Sequence, residues 1–492
     1  MSEAPSRHRS LGAVGGGLGC ALALLSSGCK VGPSYHAPQT PAPAAWAGVT
    51  KAPTNQPSIT TTNAVALARW WEEFGDPKLT ALIEQAGQTN LDLQLAQARL
   101  RQARAERGVA AGGLWPAVTG SASYQRVHPS GSTVSFIKSD HNLFAAGLDA
   151  VWELDLFGGT RRNVEAAGAN IRATQESLRD AQISLAAEVA LNYIQLRGYQ
   201  QQIAIAQDNL KIQRRTAEIT RRRQGVGFVS GLDVANAEAQ VATTEAQIPV
   251  LETAAQQTIY ALSVLLTRPP ADLLAELSPT GPLPATPPEI PVGLPSELLR
   301  RRPDIRAAEA SLQAATAKIG VAVADLFPKF SLVGSVNWQN NLLEDWFTAG
   351  SRGSSFGPTV TWPLFQGGAV RSNIRVQEAL RDQSYLTYQK TVLTALQDVE
   401  NALIAFAKEW QHRASLEAAV ASNRKAVDLS TQLYAQGQSD FLNVLVAQRS
   451  LAVAEDALVQ SRRDIATDVI ALYKALGGGW EEDPSIAAVR TR

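Results

Sequence analysis

The side chain most clearly placed for chemistry is the thiol of Cys29. Arg7 and Arg9 precede an apolar stretch, Leu11 to Leu25, that is too short to span a bilayer, and Ser26-Ser27-Gly28 then leads into the cysteine. That order reads as a secretory signal (residues 1–28) followed by a lipidation site, so cleavage would leave an acylated Cys29 as a membrane anchor. The pattern departs from the usual one in that its leucine, Leu25, sits one place early. The bland reading of Cys29 is an unmodified thiol near a cleavage site. Cys20 would leave with the signal, so no intramolecular disulfide can form.

Other chemistry is sparse. Five histidines (His8, His36, His128, His141 and His412) show no metal-ligand spacing. The run Gly225 to Gly231 (GVGFVSG) misses the dinucleotide fingerprint by one place and lies between helical segments, not after a strand. No catalytic constellation, metal site or cofactor site is expected, and the chain is not read as an enzyme. Acids and bases balance at 45 each, so the basic field of a nucleic-acid binder is absent. What remains is charge placed by geometry. Two helix breaks, Gly225 to Asp233 and Gly437 to Asn443, carry Asp233 and Asp440. Repeated around a symmetry axis, such carboxylates form a ring that admits cations and narrows a pore. Both aspartates are also good helix starters, so each could equally be a cap.

The elements that would hold these residues are announced by a duplication. Asp92 to Pro116 lies without a gap over Asp304 to Pro328, and 11 of 25 positions are identical. Each half then carries a Leu-Phe-Gly-Gly-like signature, at Leu156 and Leu364, and a helix break with Gln-Gly, at Gln224 and Gln436. The expected order is helix, strand, strand, helix, break, helix, twice. No proline lies between Pro129 and Pro249 or between Pro363 and Pro484. Within those runs Ile171, Leu178 and Leu185, then Val189, Leu196, Ile203 and Leu210, step by seven with one shift of four, and Val392, Leu396, Val399, Leu403, Phe406 and Trp410 alternate fours and threes. This is the coiled-coil period with a stutter. The opposite faces, with Glu188, Arg197, Gln200, Gln201 and Gln202, are expected to stay in water.

Four shorter runs, at about 117–127, 143–157, 329–339 and 355–365, alternate oily and wet side chains. Trp152, Trp338 and Trp362 fall on the oily side, and Asp149, Glu153 and Asp155 on the wet side. A half-buried strand of a soluble sandwich gives the same alternation. In a secreted chain without a membrane-spanning helical stretch, four such runs favour a transmembrane barrel with lipid-facing aromatics and a wet lumen. Four strands cannot close, and an open edge is not tolerated in lipid. Two copies would give eight strands with a filled interior, and three would give twelve around water. The residues between paired strands, Arg126 to His141 and Asn340 to Ser355, are polar and are read as outward loops. The expected organisation is therefore a signal peptide (1–28), a lipidated extended segment (29–62), a first repeat (63–268), a proline-rich linker (269–295), a second repeat (296–480) and a tail (481–492).

Several motifs resemble those of the outer-membrane factor lipoproteins, the TolC-like exit ducts of resistance-nodulation-division efflux pumps. They are Cys29-Lys30-Val31-Gly32-Pro33-Ser34-Tyr35, Trp70-Trp71 with Phe74, Arg302-Pro303-Asp304-Ile305 with Ala308-Glu309, and Leu472 to Trp480 (LYKALGGGW). The resemblance implies a mainly α, tandemly duplicated protomer and a homotrimer, with a twelve-stranded β-barrel in the outer membrane and a periplasmic α-barrel of twelve helices. It also implies a periplasmic adaptor, an inner-membrane pump and outer-membrane lipid as partners. In that family the helix breaks form a closed periplasmic aperture held by polar links, which would make Asp440, Asp233, Tyr434, Arg221, Arg222 and Arg223 gate candidates. The implied function is passive conduction of small molecules from pump and adaptor across periplasm and outer membrane. Two alternatives stay open at this point: a type I protein secretion duct and a non-conducting coiled-coil lipoprotein.

Overall fold

The computed structural model describes residues 30–41, 43–47, 58–60, 67–128, 140–287 and 289–480. The expected signal peptide, Cys29 and the tail 481–492 lie outside them. In chain order the elements are β1 (Ser58–Thr60), α1 (Pro77–Thr89), α2 (Leu91–Gly112), β2 (Ala117–Val127), β3 (His141–Leu154), α3 (Gly159–Gly225) and α4 (Gly231–Leu265). There follow α5 (Leu274–Leu277), β4 (Glu289–Pro291), α6 (Pro295–Arg301), α7 (Pro303–Ala324), β5 (Lys329–Asn340), β6 (Arg352–Thr361), α8 (Ala369–Ala435) and α9 (Phe441–Ala475). The halves match element for element. Helices α2 and α7 have 22 residues each, α3 and α8 have 67 each, and α4 and α9 have 35 each. No helix among the described residues is long and apolar enough to cross a membrane.

The chain divides into two compact units. The first comprises Met1–Gln39, Arg99–Thr174 and Ala307–Tyr388. It holds an antiparallel sheet in the order β2-β3-β5-β6, so the two halves join through β3 and β5, and among the described residues one side of β2 and of β6 has no strand beside it. Strand β3 stops at Leu154, short of the expected 157, because Asp155 turns back to cap α3. Its carboxylate accepts the Thr160 N–H at 3.1 Å and the Arg161 N–H at 2.8 Å and pairs with the Arg161 guanidinium at 3.1 Å. Asp155 therefore lies just past the strand in which it was expected and serves the start of α3 instead. Strand β6 begins at Arg352 and ends at Thr361, earlier than expected, since Pro363 has no N–H for a ladder.

A strap precedes this unit's helices. Arg162 donates to the carbonyls of Val31 (3.1 Å) and Gly32 (3.2 Å), and Tyr35 donates its hydroxyl proton to Glu309 (3.0 Å). Gly32 crosses Gly320 so closely that a Cβ would lie 2.5 Å from the Gly320 Cα, and its φ of 84° also favours glycine.

The second unit comprises Thr40–Ala98, Gln175–Arg306 and Gln389–Arg492. The sevenfold apolar positions here form the interior: Leu185, Val189, Leu196, Leu210, Val392, Val399, Leu403 and Phe406 are all buried. Trp70 stacks on Tyr473 at 5.2 Å, with Trp71 and Phe74 edge-on. Gly478 makes room for this, because a Cβ there would meet the Leu67 carbonyl at 2.8 Å. Arg302 ties the second half's entry to its exit by donating to Asp304, to Asp398 (3.1 Å) and to the Ala475 carbonyl (3.0 Å). One expectation is reversed. Arg197, Gln200 and Gln202 are buried, not wet. Gln200 donates to Leu277 (2.7 Å) and Arg197 to Pro279 (3.0 Å), so these side chains satisfy the carbonyls of the proline-rich linker, which has few ladder partners of its own.

Candidate functional site

The two helix breaks are built alike up to their last residue. Helix α3 ends in a turn where the Gly227 N–H bonds the Gln224 carbonyl (2.9 Å) and the Phe228 N–H the Arg223 carbonyl (2.9 Å), with Gly227 at φ 80°. Helix α8 ends with the same pair of bonds, Gly437 to Tyr434 (3.0 Å) and Gln438 to Leu433 (2.9 Å), and Gly437 at φ 74°. A glycine in the left-handed region closes each helix by supplying N–H groups to the last carbonyls. The restarts differ. Ser230 and Asp233 form a reciprocal capping box at the start of α4, so the Asp233 carboxylate is engaged locally. Asp440 is the N-cap of α9, yet its side chain accepts no cap hydrogen bond, and it is exposed. Of the two aspartates, Asp440 is the one left free to act on its surroundings.

The candidate cations sort into three roles. Arg222 pairs with Glu218 on its own helix, and Arg221 with Glu238 across the first hairpin at 2.5 Å. Arg223 alone reaches the second hairpin. It donates to the Tyr434 carbonyl at 2.5 Å and lies over the Tyr434 ring at 4.5 Å. Tyr434 in turn packs on Phe441 in a buried cluster with Ala217, Ala237 and Val444. The Tyr434 hydroxyl is buried without a hydrogen-bond partner among the described residues.

Above this tie, α3 meets the second hairpin in a series of polar contacts seven residues apart. Gln202 donates to Asp456 (2.6 Å), Asn209 to Glu455 (3.3 Å), and Thr216 receives Gln448 (3.0 Å). Sequence reading missed this ladder because only apolar residues were followed at that period. It also missed the exposed apolar residues at the turns: Val226, Phe228, Leu232 and Leu442 are 60–75% exposed. The alternation of glycine with large apolar residues in GVGFVSGL was the available signal.

In the sheet, cross-strand register gathers most apolar residues on one face and most polar ones on the other, with Val151 opposite Val333 on the wet face and Arg126 opposite Asn142 on the oily one. Trp152 lies opposite Leu332, Leu148 opposite Val336, and Phe330 opposite Val360. On the other face Thr119 lies opposite Asp149, Asp149 opposite Ser335, Glu153 opposite Ser331, and Ser335 opposite Ser355 with their hydroxyls 2.8 Å apart. Trp338 is on the oily face. Trp362 stands just past β6 and donates its indole N–H to Leu326 (3.1 Å), as Trp152 does to Leu114 (3.0 Å).

The second unit also holds a cavity of about 480 Å³ lined by Asp180, Arg302, Asp304, Asp398, Asp468 and Lys474. Burial, then the neighbouring charges of Glu409 and Asp464, push the Asp468 carboxyl up to about 7. Burial and Asp304 also raise Asp180. Among the described residues no group of three His, Cys, Asp or Glu side chains is placed to hold a metal ion.

Duplicated helical hairpins and a sheet with one apolar and one polar face are the elements from which membrane channel proteins are built. The chain belongs to the outer membrane efflux protein family, whose model matches residues 82–268 and 294–478. It is 34% identical over 461 residues to nodulation protein T of Rhizobium leguminosarum bv. trifolii, covering 93% of this chain and 96% of that protein. It is likewise 34% identical over 468 residues to the antibiotic efflux pump outer membrane protein ArpC of Pseudomonas putida, covering 94% of each. The solved structure of the outer-membrane channel OprN superposes with a TM-score of 0.84 at 37% identity, covering 92% of this chain and 100% of that one. The protein is thus an efflux channel of the outer membrane that extends into the periplasm, in a family of channel proteins rather than enzymes.

Proposed function

We propose that three copies close a twelve-stranded barrel and a twelve-helix periplasmic tunnel, and that the assembly passively conducts small molecules delivered by a periplasmic adaptor and an inner-membrane pump. The observation that carries this reading is the sheet. All four strands share one mainly oily and one mainly wet face, while among the described residues β2 and β6 each lack a neighbour on one side. Such edges need partners in lipid, and further copies of the chain supply them. Asp149 and Glu153 then line the lumen, while Trp152, Trp338 and Trp362 meet lipid. Signal cleavage after residue 28 leaves Cys29 acylated in the same membrane.

The helix turns are the periplasmic gate. Asp440 supplies a carboxylate ring, and Arg223 holds Tyr434 so that its unpartnered hydroxyl meets a neighbouring copy. Arg222 and Asp233 shape the turn through Glu218 and Ser230. The exposed apolar residues of the turns suit an adaptor. The test is the mass of the purified assembly in detergent together with its conductance in planar bilayers. A single copy without conductance would overturn the reading.

A further inference from the structure

Residues 341–351, which join β5 to β6, do not stand over the sheet's wet side. Trp346 lies 5.8 Å from Phe144, Phe347 lies 5.9 Å from Trp338, and the two loop rings stack at 4.8 Å. Phe144 continues the series to Tyr124 at 5.0 Å. The Trp346 indole N–H also points to the Trp338 carbonyl at 3.4 Å. By strand register Tyr124, Phe144 and Trp338 share the face of Leu148, Trp152, Leu332 and Val336, opposite Asp149 and Ser335. The loop is therefore folded back over the oily face.

It is also braced in that position. The Asn340 side chain donates to the Asp345 carbonyl (3.0 Å) and accepts the Leu342 N–H (3.1 Å), and Ser351 donates to the Trp346 carbonyl (2.5 Å). Despite this order, Leu342, Leu343 and Phe347 remain 54–66% exposed. Large apolar side chains held in place yet uncovered mark a contact surface.

We infer that this loop is an anchor in the interfacial layer of the outer leaflet, with lipid as its occupant. This rests on the barrel reading above, since the loop's apolar surface continues the face assigned to lipid. Magnitudes agree. From Phe144 to Trp152 the strand runs eight residues, about 26 Å, or about 20 Å once tilted by roughly 40°, against an apolar band of about 25 Å in such barrels. The loop's leucines and aromatics extend the band at its outer end. Aromatic rings with a polar edge belong at that depth. A loop held outward in this way is not a lid on the channel mouth.

The test uses the full-length purified assembly carrying Leu343→Cys or, on the strand face, Leu148→Cys, each labelled with a bimane fluorophore. Leu342→Cys repeats the loop reading should Leu343→Cys fail to assemble, and protein without an introduced cysteine gives the background. The probes are phosphatidylcholine vesicles with brominated acyl chains and aqueous iodide. Both labels should lose more emission to bromolipid than to iodide. A strand label quenched by bromolipid beside a loop label quenched only by iodide puts the loop in water and overturns the inference alone. A strand label that ignores bromolipid overturns the barrel reading and the inference with it.

Discussion

Arg223 of the first hairpin donates to the main-chain oxygen of Tyr434 in the second at 2.5 Å while its guanidinium covers the Tyr434 ring. The acceptor lies in the last turn of α8, where free carbonyls concentrate negative charge, so one cation serves as helix cap, aromatic cover and link between hairpins. Lysine could supply the charge but not the planar stacking.

Loss of that link should loosen the turns. Arg223→Ala is expected to raise open-channel current in planar bilayers and to destabilise the turn by about 1 kcal/mol, a figure kept low because the residue is partly solvated. Arg223→Lys should restore only part of the wild-type current. Identical currents for all three proteins would show that the link does not restrain the gate.

The two turn aspartates should separate in function. Asp440→Asn is expected to weaken cation preference, read as a reversal potential across a salt gradient, because it neutralises the carboxylate left uncapped. Asp233→Asn should leave the reversal potential alone and weaken the start of α4 by about 1 kcal/mol, since its carboxylate serves the capping box. The opposite assignment of effects would exchange their roles.

The polar contacts along α3 should not be equal. Gln202→Leu leaves one oxygen of the half-buried Asp456 carboxylate without its donor, while Gln460 keeps the other at 2.7 Å, and is expected to cost about 1–3 kcal/mol. Thr216→Val removes a neutral partner of Gln448 and should cost about 1 kcal/mol. Thermal melting followed by circular dichroism reads the order, and a Thr216→Val protein melting below Gln202→Leu would refute it.

Stability should fall as pH rises toward neutrality through one side chain. With its folded value raised to about 7, Asp468 holds its proton more tightly in the native state than in the unfolded chain. Its contribution is complete below the ordinary carboxylate range and is lost as pH climbs to about 7. After discounting for solvent, about 1–2 kcal/mol is at stake. Asp468→Asn should therefore melt at a higher temperature than the parent at pH 8 and draw level near pH 4. A constant difference between the two proteins across that range would show that Asp468 does not titrate in this way.

The long helices and their duplication were legible because a sevenfold apolar period survives substitution, and Val189, Leu196, Val399 and Leu403 all lie in the interior. Boundaries were less legible. The proline-free run ends at Pro249, yet α4 continues through that residue to Leu265, giving up one backbone hydrogen bond within the helix. Gln202 and Arg197 read as wet residues because composition cannot tell a solvated polar side chain from one aimed at an acceptor on another element, here the Asp456 carboxylate and the Pro279 carbonyl. Asp155 continued the strand's alternation in the sequence, but the N–H groups of a helix start claimed its carboxylate. The segment after Asn340 read as a polar outward loop, and only ring positions reveal which face it covers.

The seven-residue spacing of Gln202, Asn209, Thr216 and Arg223 restricts how the hairpins can shift. Sliding one past the other by a single helical turn, about 5.4 Å, would carry these groups away from Asp456, Glu455, Gln448 and the Tyr434 carbonyl together. Axial slippage is thus locked out at small amplitude. Peeling from the free end breaks one rung at a time, so widening of the seam should travel upward from Arg223 and stall where Gln202 grips Asp456.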